Sequence, residues 1–277
     1  MNYLDAHVHV WTDNLPHYPL AAGFTVEQHM RPRAFPPETI LRLAGASGVN
    51  RIVLIQISFY RWDNSYMLDV IAGAPATFRG VALVDWTSPA PEARMRELAK
   101  RGVTGFRIRA IELPPEHWLD GDSLARMFRC AADTGLNLCP LLNPEHLPAL
   151  ARMCRKFPRT PVVIDHLARI GGDGTIRDAD LKSLCALAQF NAVKVKLSAF
   201  YALGAKQPPH LELAPLIRRV YEAFGPQRLM WASDCPYQVQ SESYEDSLAL
   251  VRDRLDFLTA DDKEWLLRRT AEATFFR

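Results

Sequence analysis

An alternation of short apolar segments with longer amphipathic ones, repeated eight times, constrains the fold of this chain more than any other feature. The apolar segments are typical of β-strands and cover residues 4–10, 51–57, 80–84, 105–109, 138–142, 162–166, 193–198 and 229–233. Eight strand–helix units in 277 residues match one closed parallel barrel better than a two-domain protein. The sequence therefore predicts the α/β class, with a single (β/α)8 TIM barrel over residues 1–277 and an additional C-terminal helix.

Segments with helical spacing separate the predicted strands. They cover 66–74, 92–101, 124–134, 145–157, 178–188, 213–224 and 243–258, and a last helix starts at Thr259. Gly135 follows one of them, as glycine does at helix C-termini, and Thr259-x-x-Asp262 resembles a capping box. The longer loops, 11–37, 111–121, 167–177 and 199–210, nearly all follow strands. We therefore expect these loops at the end of the barrel where active sites form.

Composition excludes several classes of protein. Hydrophobic residues make up 48% of the chain and the formal net charge is only +2, which favours a soluble globular protein without a nucleic acid or membrane partner. The five cysteines include no C-x-x-C pair, so neither a disulfide framework nor a zinc knuckle is expected. Because no signal-peptide core precedes Asp5 and no apolar run is long enough to span a membrane, we expect a cytoplasmic protein.

Two histidines lie one residue apart in the first predicted strand. Successive strand residues alternate sides, so His7 and His9 project from the same face and can reach one atom together. That atom is either a divalent metal or a substrate oxygen, since imidazole is both a metal ligand and a hydrogen-bond donor. An exposed edge strand is the alternative explanation for this pair.

Two later strands end in residues of the same chemical type. The sixth ends at His166, and the eighth is followed by Asp234. Taken alone, His166 could be a satisfied core residue and Asp234 a turn residue. In a barrel, however, the carboxyl ends of all strands meet at one mouth. We therefore predict a shared site of His7, His9, His166 and Asp234.

These segments carry a resemblance to a known family. Residues His7-x-His9, Asp165-His166-Leu167, Lys196-Leu197-Ser198 and the segment 224–234, which reads FGPQRLMWASD, occur in this order. Together they resemble the amidohydrolase superfamily, and more narrowly its amidohydrolase-related branch, which contains 2-pyrone-4,6-dicarboxylate lactonase and sugar lactonases. The resemblance covers nearly the whole chain, and it identifies the family more firmly than the substrate.

The resemblance implies hydrolysis at an activated carbonyl, with water as the nucleophile. Asp234 would be the general base, and His7, His9 and His166 would stabilise the developing oxyanion, either directly or through a metal. An aspartate is ionised at neutral pH and can accept a proton. Covalent catalysis by Cys235 is not expected, because no histidine–cysteine pair can be inferred from the sequence.

The fourth and fifth predicted strands bear on the cofactor. Amidohydrolases that hold zinc firmly add a histidine or a carboxylated lysine from one of these strands, whereas here the strands offer Arg107, Arg109 and Cys139. Two arginines also repel a cation. The lactonase branch includes both metal-free and mononuclear zinc members. We therefore predict that no cofactor is required, or that one divalent metal, zinc before others, binds the four residues of the shared site.

The two arginines indicate an anionic substrate. Arg107 and Arg109 share one face of a predicted strand, and a charge buried at a barrel mouth needs an opposite charge. A substrate carboxylate would serve; alternatively, Glu112 or Asp85 pairs with one of the arginines. The resemblance supports Arg107, because a strand-four arginine binds a carboxylate in the dicarboxylate lactonase. That enzyme has a further arginine after strand seven, where this chain reads SAFYA at 198–202, so at most one substrate carboxylate is expected.

Three other residues are candidates for substrate contacts. Gln56 and Tyr60 lie at the end of the second predicted strand, and Tyr201 follows the seventh. The alternative role of the first two is to satisfy the loop that follows them, and that of Tyr201 is packing. Lys196, on the seventh strand, is a candidate counter-ion within the barrel.

The sequence as a whole predicts a hydrolase that acts on a small, mono-anionic lactone or a related amide. A small molecule is the predicted partner, and both a monomer and a homo-oligomer are compatible with the sequence. A metal-dependent decarboxylase of an aromatic or muconate-type acid is the alternative enzyme, which the missing strand-five histidine disfavours. A non-catalytic ligand-binding barrel is the alternative outside enzymes.

Overall fold

The strands form in the order that the sequence predicts. In the computed structural model, which describes residues 2–109 and 114–277, they are β1 (Tyr3–Val8), β2 (Val49–Ile55), β3 (Phe78–Ala82), β4 (Val103–Arg109), β5 (Asn137–Leu141), β6 (Val162–Ile164), β7 (Val193–Leu197) and β8 (Leu229–Trp231). Each strand pairs in parallel with the next along the chain. The predicted (β/α)8 TIM barrel is confirmed.

Backbone hydrogen bonds between the ends of β1 and β8 close the barrel. The Asp234 amide donates to the carbonyl oxygen of His7 at 2.9 Å, and the His9 amide donates to that of Cys235 at 2.8 Å. Val8 and Cys235 also form a parallel bridge. Closure satisfies backbone groups that an open sheet edge would expose. It also brings Asp234 beside the two histidines.

Helices alternate with the strands. They are α1 (Val26–His29), α2 (Pro37–Ala46), α3 (Ser65–Gly73), α4 (Pro91–Ala99), α5 (Asp122–Thr134), α6 (Leu147–Lys156), α7 (Asp178–Ala186), α8 (Ala214–Phe224), α9 (Tyr244–Ala249), α10 (Ala260–Glu264) and α11 (Thr270–Phe275). Gly135 ends α5 in the left-handed conformation (φ 74°), and Thr259 with Asp262 forms the predicted capping box of α10. No helix within 2–109 and 114–277 has the length and apolar composition needed to cross a membrane.

Several boundaries differ from the predicted ones. The predicted helix 243–258 is α9 followed by a π-helical segment, Leu250–Arg254, and a second π-helical segment, Trp265–Arg269, separates α10 from α11. Hydrophobic spacing does not distinguish a π turn from an α turn over so few residues. Strands β1 and β2 end at Val8 and Ile55, rather than at residues 10 and 57, because their apolar runs continue past the paired ladder. Glu112 and the start of the predicted loop 111–121 lie outside the described residues.

The interior of the barrel is partly filled by an apolar cluster. Its members are Leu4, Ala6, Val53, Ile55, Val81, Cys139, Val163, Met230, Ala232, Ala271 and Phe275. Two of them, Ala271 and Phe275, belong to α11, which confirms the predicted C-terminal helix. Arg51, near the start of β2, pairs with Glu272 of the same helix at 2.9 Å. The helix therefore packs at the N-terminal end of the barrel and leaves the opposite end to polar residues.

Candidate active site

The two histidines at the end of β1 lie beside each other inside the barrel. Both side chains are buried, and their Nε2 atoms are 3.3 Å apart. His9 Nδ1 donates to the Ile55 carbonyl oxygen at 2.8 Å. Because a carbonyl can only accept, the ring hydrogen of His9 is on Nδ1 and its Nε2 faces the site. The structure thus brings His7 and His9 to one point.

Asp234 follows β8 and lies against this pair. Its backbone adopts the left-handed region, with φ 67°. The Oδ1 atom is 3.4 Å from His7 Nε2, 3.4 Å from His9 Nε2 and 3.9 Å from His166 Nε2. The Oδ2 atom accepts a hydrogen bond from the Tyr201 hydroxyl at 2.7 Å. One carboxylate oxygen therefore faces three imidazoles, while a phenol holds the other.

The protonation states of the site follow from these contacts. Burial lowers the pKa of His166 to about 4, and burial with the nearby Lys196 lowers the pKa of His7 well below its usual value. Burial alone would raise the pKa of Asp234, but the surrounding imidazoles, His166 first, hold it below the ordinary aspartate value. At neutral pH the site therefore contains an ionised carboxylate together with neutral imidazoles at His7 and His166.

A left-handed turn follows β6 and carries two residues of the site. Residues His166, Leu167, Ala168 and Arg169 have φ values of 53°, 53°, 55° and 56°. A left-handed residue other than glycine costs roughly 1–2 kcal/mol, and the complete burial of Leu167 and Ala168 offsets part of this cost. Ser198 Oγ lies 2.8 Å from His166 Nδ1 and fixes the ring. The turn brings both His166 and Arg169 to the cavity described below.

A buried layer of charges lies next to the histidines. Lys196 Nζ is 3.0 Å from Asp165 Oδ1 and 3.2 Å from His7 Nδ1, and Arg107 Nε is 3.4 Å from Asp165 Oδ2. Burial would raise the pKa of Asp165, but Lys196, His7 and Arg107 hold it well below its usual value. Because an ammonium can only donate, its contact with His7 Nδ1 favours a ring hydrogen on His7 Nε2. That hydrogen points to Asp234 and to any oxygen bound beside it.

The predicted role of Lys196 as a counter-ion matches this arrangement. The acid beside Arg107 is Asp165, which was not among the predicted partners. Glu112 lies outside the described residues, and Asp85 lines a neighbouring cavity together with Arg109. Arg107 therefore forms an ion pair with Asp165 and also lines the cavity above the histidines.

A cavity of about 310 Å³ opens above Asp234. Arginines from two elements reach it, Arg107 and Arg109 from β4 and Arg169 from the left-handed turn. The remaining lining residues are His9, Ile57, Ser58, Leu141, His166, Ala199, Tyr201, Ala202, Leu203, Asp234 and Tyr237. Three guanidinium groups and one carboxylate at a partly enclosed cavity favour an anionic ligand.

Gln56 and Tyr60, both predicted to contact substrate, do not line this cavity. The Gln56 amide donates to the carbonyl oxygens of Asp63 at 2.5 Å and Arg61 at 3.3 Å. The Tyr60 hydroxyl donates to the carbonyl oxygen of Thr12 at 3.3 Å. Both side chains are buried, and they satisfy loop backbone, which is the alternative that the sequence left open.

Arg169 and Tyr237 line the cavity and were not predicted. Each lies three residues beyond a predicted site residue, His166 and Asp234 respectively. That spacing could have drawn attention to Tyr237, because a turn after a strand returns to the same side within three residues. No sequence signal predicts the left-handed turn that carries Arg169, since none of its residues is glycine.

The donors at the site fit one divalent metal ion. Ligand atoms of His7, His9 and Asp234 lie within 4.8 Å of one another, and those of His7, Asp165 and His166 form a second such group among the described residues. His9 already presents Nε2 while Nδ1 is held by a carbonyl, the usual arrangement of a metal-binding histidine. His7 would have to move its ring hydrogen to Nδ1, where Asp165 lies at 3.4 Å. The adjacent Lys196 and Arg107 lower the affinity for any cation.

Known proteins resemble this chain over most of its length. L-fucono-1,5-lactonase of Burkholderia ambifaria is 30% identical over 238 residues, which are 84% of this chain and 80% of the relative. 4-Sulfomuconolactone hydrolase of Hydrogenophaga intermedia is 26% identical over 84% of this chain and 74% of its own. A solved amidohydrolase of Burkholderia multivorans with bound zinc has a TM-score of 0.82 at 22% identity, and the match covers 100% of this chain and 99% of that one.

The match to the solved structure supports the fold, while the sequence matches support common descent. The family model described as amidohydrolase matches residues 4–277, which include every residue of the site. The order of the matched segments and the barrel that holds them agree with the resemblance seen in the sequence. This chain belongs to the amidohydrolase family.

Proposed function

We propose that this enzyme hydrolyses a small lactone that carries a negative charge. The observation that carries the proposal is Asp234 Oδ1, surrounded by three imidazole Nε2 atoms at 3.4–3.9 Å at the base of a cavity with three arginines. The relatives named as lactone hydrolases support the same reaction class. The arginines support the charge on the substrate.

The proposed reaction begins with water held against Asp234 Oδ1. The carboxylate takes a proton from the water as its oxygen bonds to the lactone carbonyl carbon, and the carbonyl oxygen becomes negative. A ring N–H of His166, which lines the cavity, donates to that oxygen. The bond from the carbonyl carbon to the ring oxygen then breaks, and Asp234 returns the proton to the leaving oxygen. The product is an open hydroxy acid.

The low pKa of Asp234 suits the second half of this sequence. A carboxyl group whose pKa lies below the ordinary aspartate value is a strong acid once protonated, so it gives its proton to the leaving oxygen readily. Tyr201, which donates to Oδ2, orients the carboxylate so that Oδ1 stays toward the imidazoles. We assign Tyr201 this positioning role together with its contact to the substrate cavity.

The number of negative charges on the substrate is less restricted than the sequence suggests. The expectation of at most one carboxylate rested on the lack of an arginine after β7. Arg169 supplies a guanidinium group to the same cavity from the loop after β6. One anionic group near Arg169 is the simplest arrangement, because Arg107 is already close to Asp165.

Replacement of Asp234 by asparagine tests the assignment of the base. Asparagine keeps the shape but cannot accept the proton, so kcat on a panel of sugar and muconate-type lactones should fall by roughly a thousandfold. Binding of the corresponding hydroxy acids, measured by calorimetry, should remain. Cys235→Ala is the matched control, since its thiol is buried and the proposed reaction does not use it. Activity of Asp234→Asn close to that of the parent enzyme would contradict the proposal.

Metal removal tests the cofactor. A divalent metal held by His7, His9 and Asp234 would polarise the carbonyl and lower the pKa of a bound water. Because an imidazole N–H at the cavity supplies a donor without a metal, we expect lactone hydrolysis to persist after chelation and dialysis. Metal content by mass spectrometry must be measured on the same samples. Loss of activity with chelator and its return with zinc would show that the metal is required.

The rival functions predict different products from the same protein. A decarboxylase would release carbon dioxide from aromatic or muconate-type acids, which a coupled bicarbonate assay detects. A non-catalytic barrel would bind these molecules without turnover. Assays on the lactones and on the acids together therefore separate all three.

A further inference from the structure

A second cavity adjoins the one above Asp234. Its volume is about 320 Å³, within the usual size of small-molecule sites. Ser58 and Arg109 line both cavities, so the two spaces meet at these residues. A molecule bound at Asp234 that reaches past Ser58 and Arg109 therefore enters the second cavity.

Aromatic rings form much of the wall of this second cavity. The indoles of Trp62 and Trp86 meet edge to face with ring centroids 5.0 Å apart, and both side chains are partly exposed. Phe24 also lines the cavity, with the Arg61 guanidinium 5.6 Å from its ring centroid. Large aromatic side chains exposed in a concave surface offer flat apolar contact area to a ligand.

The rim of the second cavity carries charges of both signs. Arg61, Arg109 and Asp85 all contribute to its lining. The Asp85 carboxylate is fixed, because its Oδ1 accepts hydrogen bonds from the Thr87 amide at 2.9 Å and the Thr87 hydroxyl at 2.6 Å. The lining therefore offers both a hydrogen-bond acceptor and hydrogen-bond donors beside the aromatic wall.

This combination selects for a neutral ring with hydroxyl groups. Asp85 disfavours a carboxylate or sulfonate group placed beside it, and Arg61 and Arg109 disfavour an ammonium group beside them. A wholly apolar ring would cover these charged groups without pairing them. A sugar ring satisfies both parts, because its C–H face packs on an indole while its hydroxyls donate to the carboxylate and accept from the guanidinium groups.

We propose that the second cavity is a subsite for a neutral sugar ring linked to the lactone. The substrates would then include glycosyl-aldonolactones, in which the lactone lies at Asp234 and the attached sugar contacts Trp62 and Trp86. The proposal rests on the proposed lactone hydrolysis for its reaction, but the sugar contact itself can be measured by binding alone.

Turnover of paired lactones tests the proposal. The 1,5-lactones of cellobionic and lactobionic acid are compared with gluconolactone, and the measured quantity is the ratio of kcat/KM, disaccharide over monosaccharide. We expect a ratio above one in the parent enzyme and a loss of about tenfold in Trp62→Ala and Trp86→Ala, since each removes one aromatic face. Trp62→Phe should retain part of the preference for the disaccharide lactone. Trp265→Ala, an indole beside Arg269 and outside both cavities, should leave the ratio unchanged.

Binding of the open acids separates this proposal from the proposed function. Cellobionate and lactobionate should bind at least tenfold more tightly than gluconate in calorimetry, and Trp62→Ala should remove the difference. If gluconolactone is hydrolysed while the disaccharide lactones and acids show no preference, the subsite is wrong and lactone hydrolysis stands. If neither these lactones nor the anionic lactones of the panel are hydrolysed, the proposed function is wrong, and equal binding of the three acids would overturn the sugar subsite as well. A fall in both kcat/KM values that leaves the ratio unchanged would show that the tryptophans are merely structural.

Discussion

Arg169 shows how one side chain can change the expected substrate. It lies at the end of the left-handed turn after β6 and lines the cavity above Asp234. Its guanidinium can hold a carboxylate through two parallel hydrogen bonds, which an ammonium cannot reproduce. In the proposed function, the charge of the substrate therefore depends on Arg169 as well as on the strand-four pair.

Replacement of Arg169 by methionine should weaken the binding of charged lactones selectively. Methionine keeps much of the side-chain length and removes the charge, so KM for a lactone with a carboxylate should rise roughly tenfold or more. KM for the neutral analogue should change little. Steady-state kinetics on matched lactones gives both values. Arg177→Met, which breaks an exposed pair with Asp173, is the control, and an equal rise in KM for both lactones would argue against an anion contact at Arg169.

The individual catalytic candidates could be predicted from the sequence, whereas the hydrogen-bond partners of nearby side chains could not. His7, His9, His166 and Asp234 could be inferred because each lies at the carboxyl end of a strand, where a barrel gathers polar side chains. Gln56 lies at such an end too, yet its amide satisfies the backbone of its own loop. Strand position predicts where a side chain starts, but not which hydrogen-bond partner it meets.

Left-handed residues other than glycine occur in several loops of the barrel. Lys206, in the loop after β7, has φ 59° and an exposed side chain. Its amide donates to the carbonyl oxygen of Leu203 at 3.0 Å, which fixes the conformation of the turn. A β-carbon in this region of backbone space is strained, whereas glycine is not.

Replacement of Lys206 by glycine should stabilise the protein. The left-handed strain is relieved, so the free energy of unfolding should rise by about 1 kcal/mol relative to Lys206→Ala, which keeps the strain and removes the same charge. Urea unfolding followed by circular dichroism measures the difference. Equal stability of the glycine and alanine variants would mean that this turn is not strained.

Elements with regular periodicity were predictable, whereas irregular ones were not. The eight strands follow from apolar runs, and α5 follows from its spacing and from Gly135 at its end. The turn from His166 to Arg169 has no glycine or asparagine to announce it, and the buried side chains at its centre hold it in place. The π-helical segments were missed for a similar reason, since packing against neighbouring elements decides them.

The reactivity of the five cysteine thiols depends on the packing of the molecule as a whole. All are free, and four of them are buried. Burial raises the pKa of Cys139 and Cys154 to about 12 and also raises the pKa of Cys185, which is partly exposed. Raised pKa values keep these thiols protonated at neutral pH, and a protonated thiol is a poor nucleophile.

Thiol labelling of the folded protein should therefore be slow. With a chromogenic disulfide at pH 7.5 (roughly one unit below an unperturbed thiol pKa), we expect Cys185 to react first and the buried thiols to react only as the protein unfolds. Addition of denaturant should then make all five thiols reactive. Rapid labelling of several thiols before denaturant is added would show that the interior is less closely packed than the structure indicates.

The architecture of the whole molecule was the most predictable level. Eight units of strand and helix leave few alternatives to a closed barrel, and closure requires the ends of β1 and β8 to meet. Their meeting joins His7 to Asp234 and His9 to Cys235 through backbone hydrogen bonds. The second cavity was not predictable, because Phe24, Trp62 and Trp86 come from three different loops and only the folded chain brings them together.

The left-handed turn after β6 also positions two groups of the proposed site relative to each other. His166 and Arg169 both line the cavity, and the buried Leu167 and Ala168 between them fix the backbone from which the imidazole and the guanidinium extend. In the proposed reaction, His166 at the start of the turn contacts the carbonyl region and Arg169 at its end contacts the anion. A lactone whose charged group lies beyond the reach of the Arg169 side chain would bind more weakly, although its charge and its reacting bond are the same.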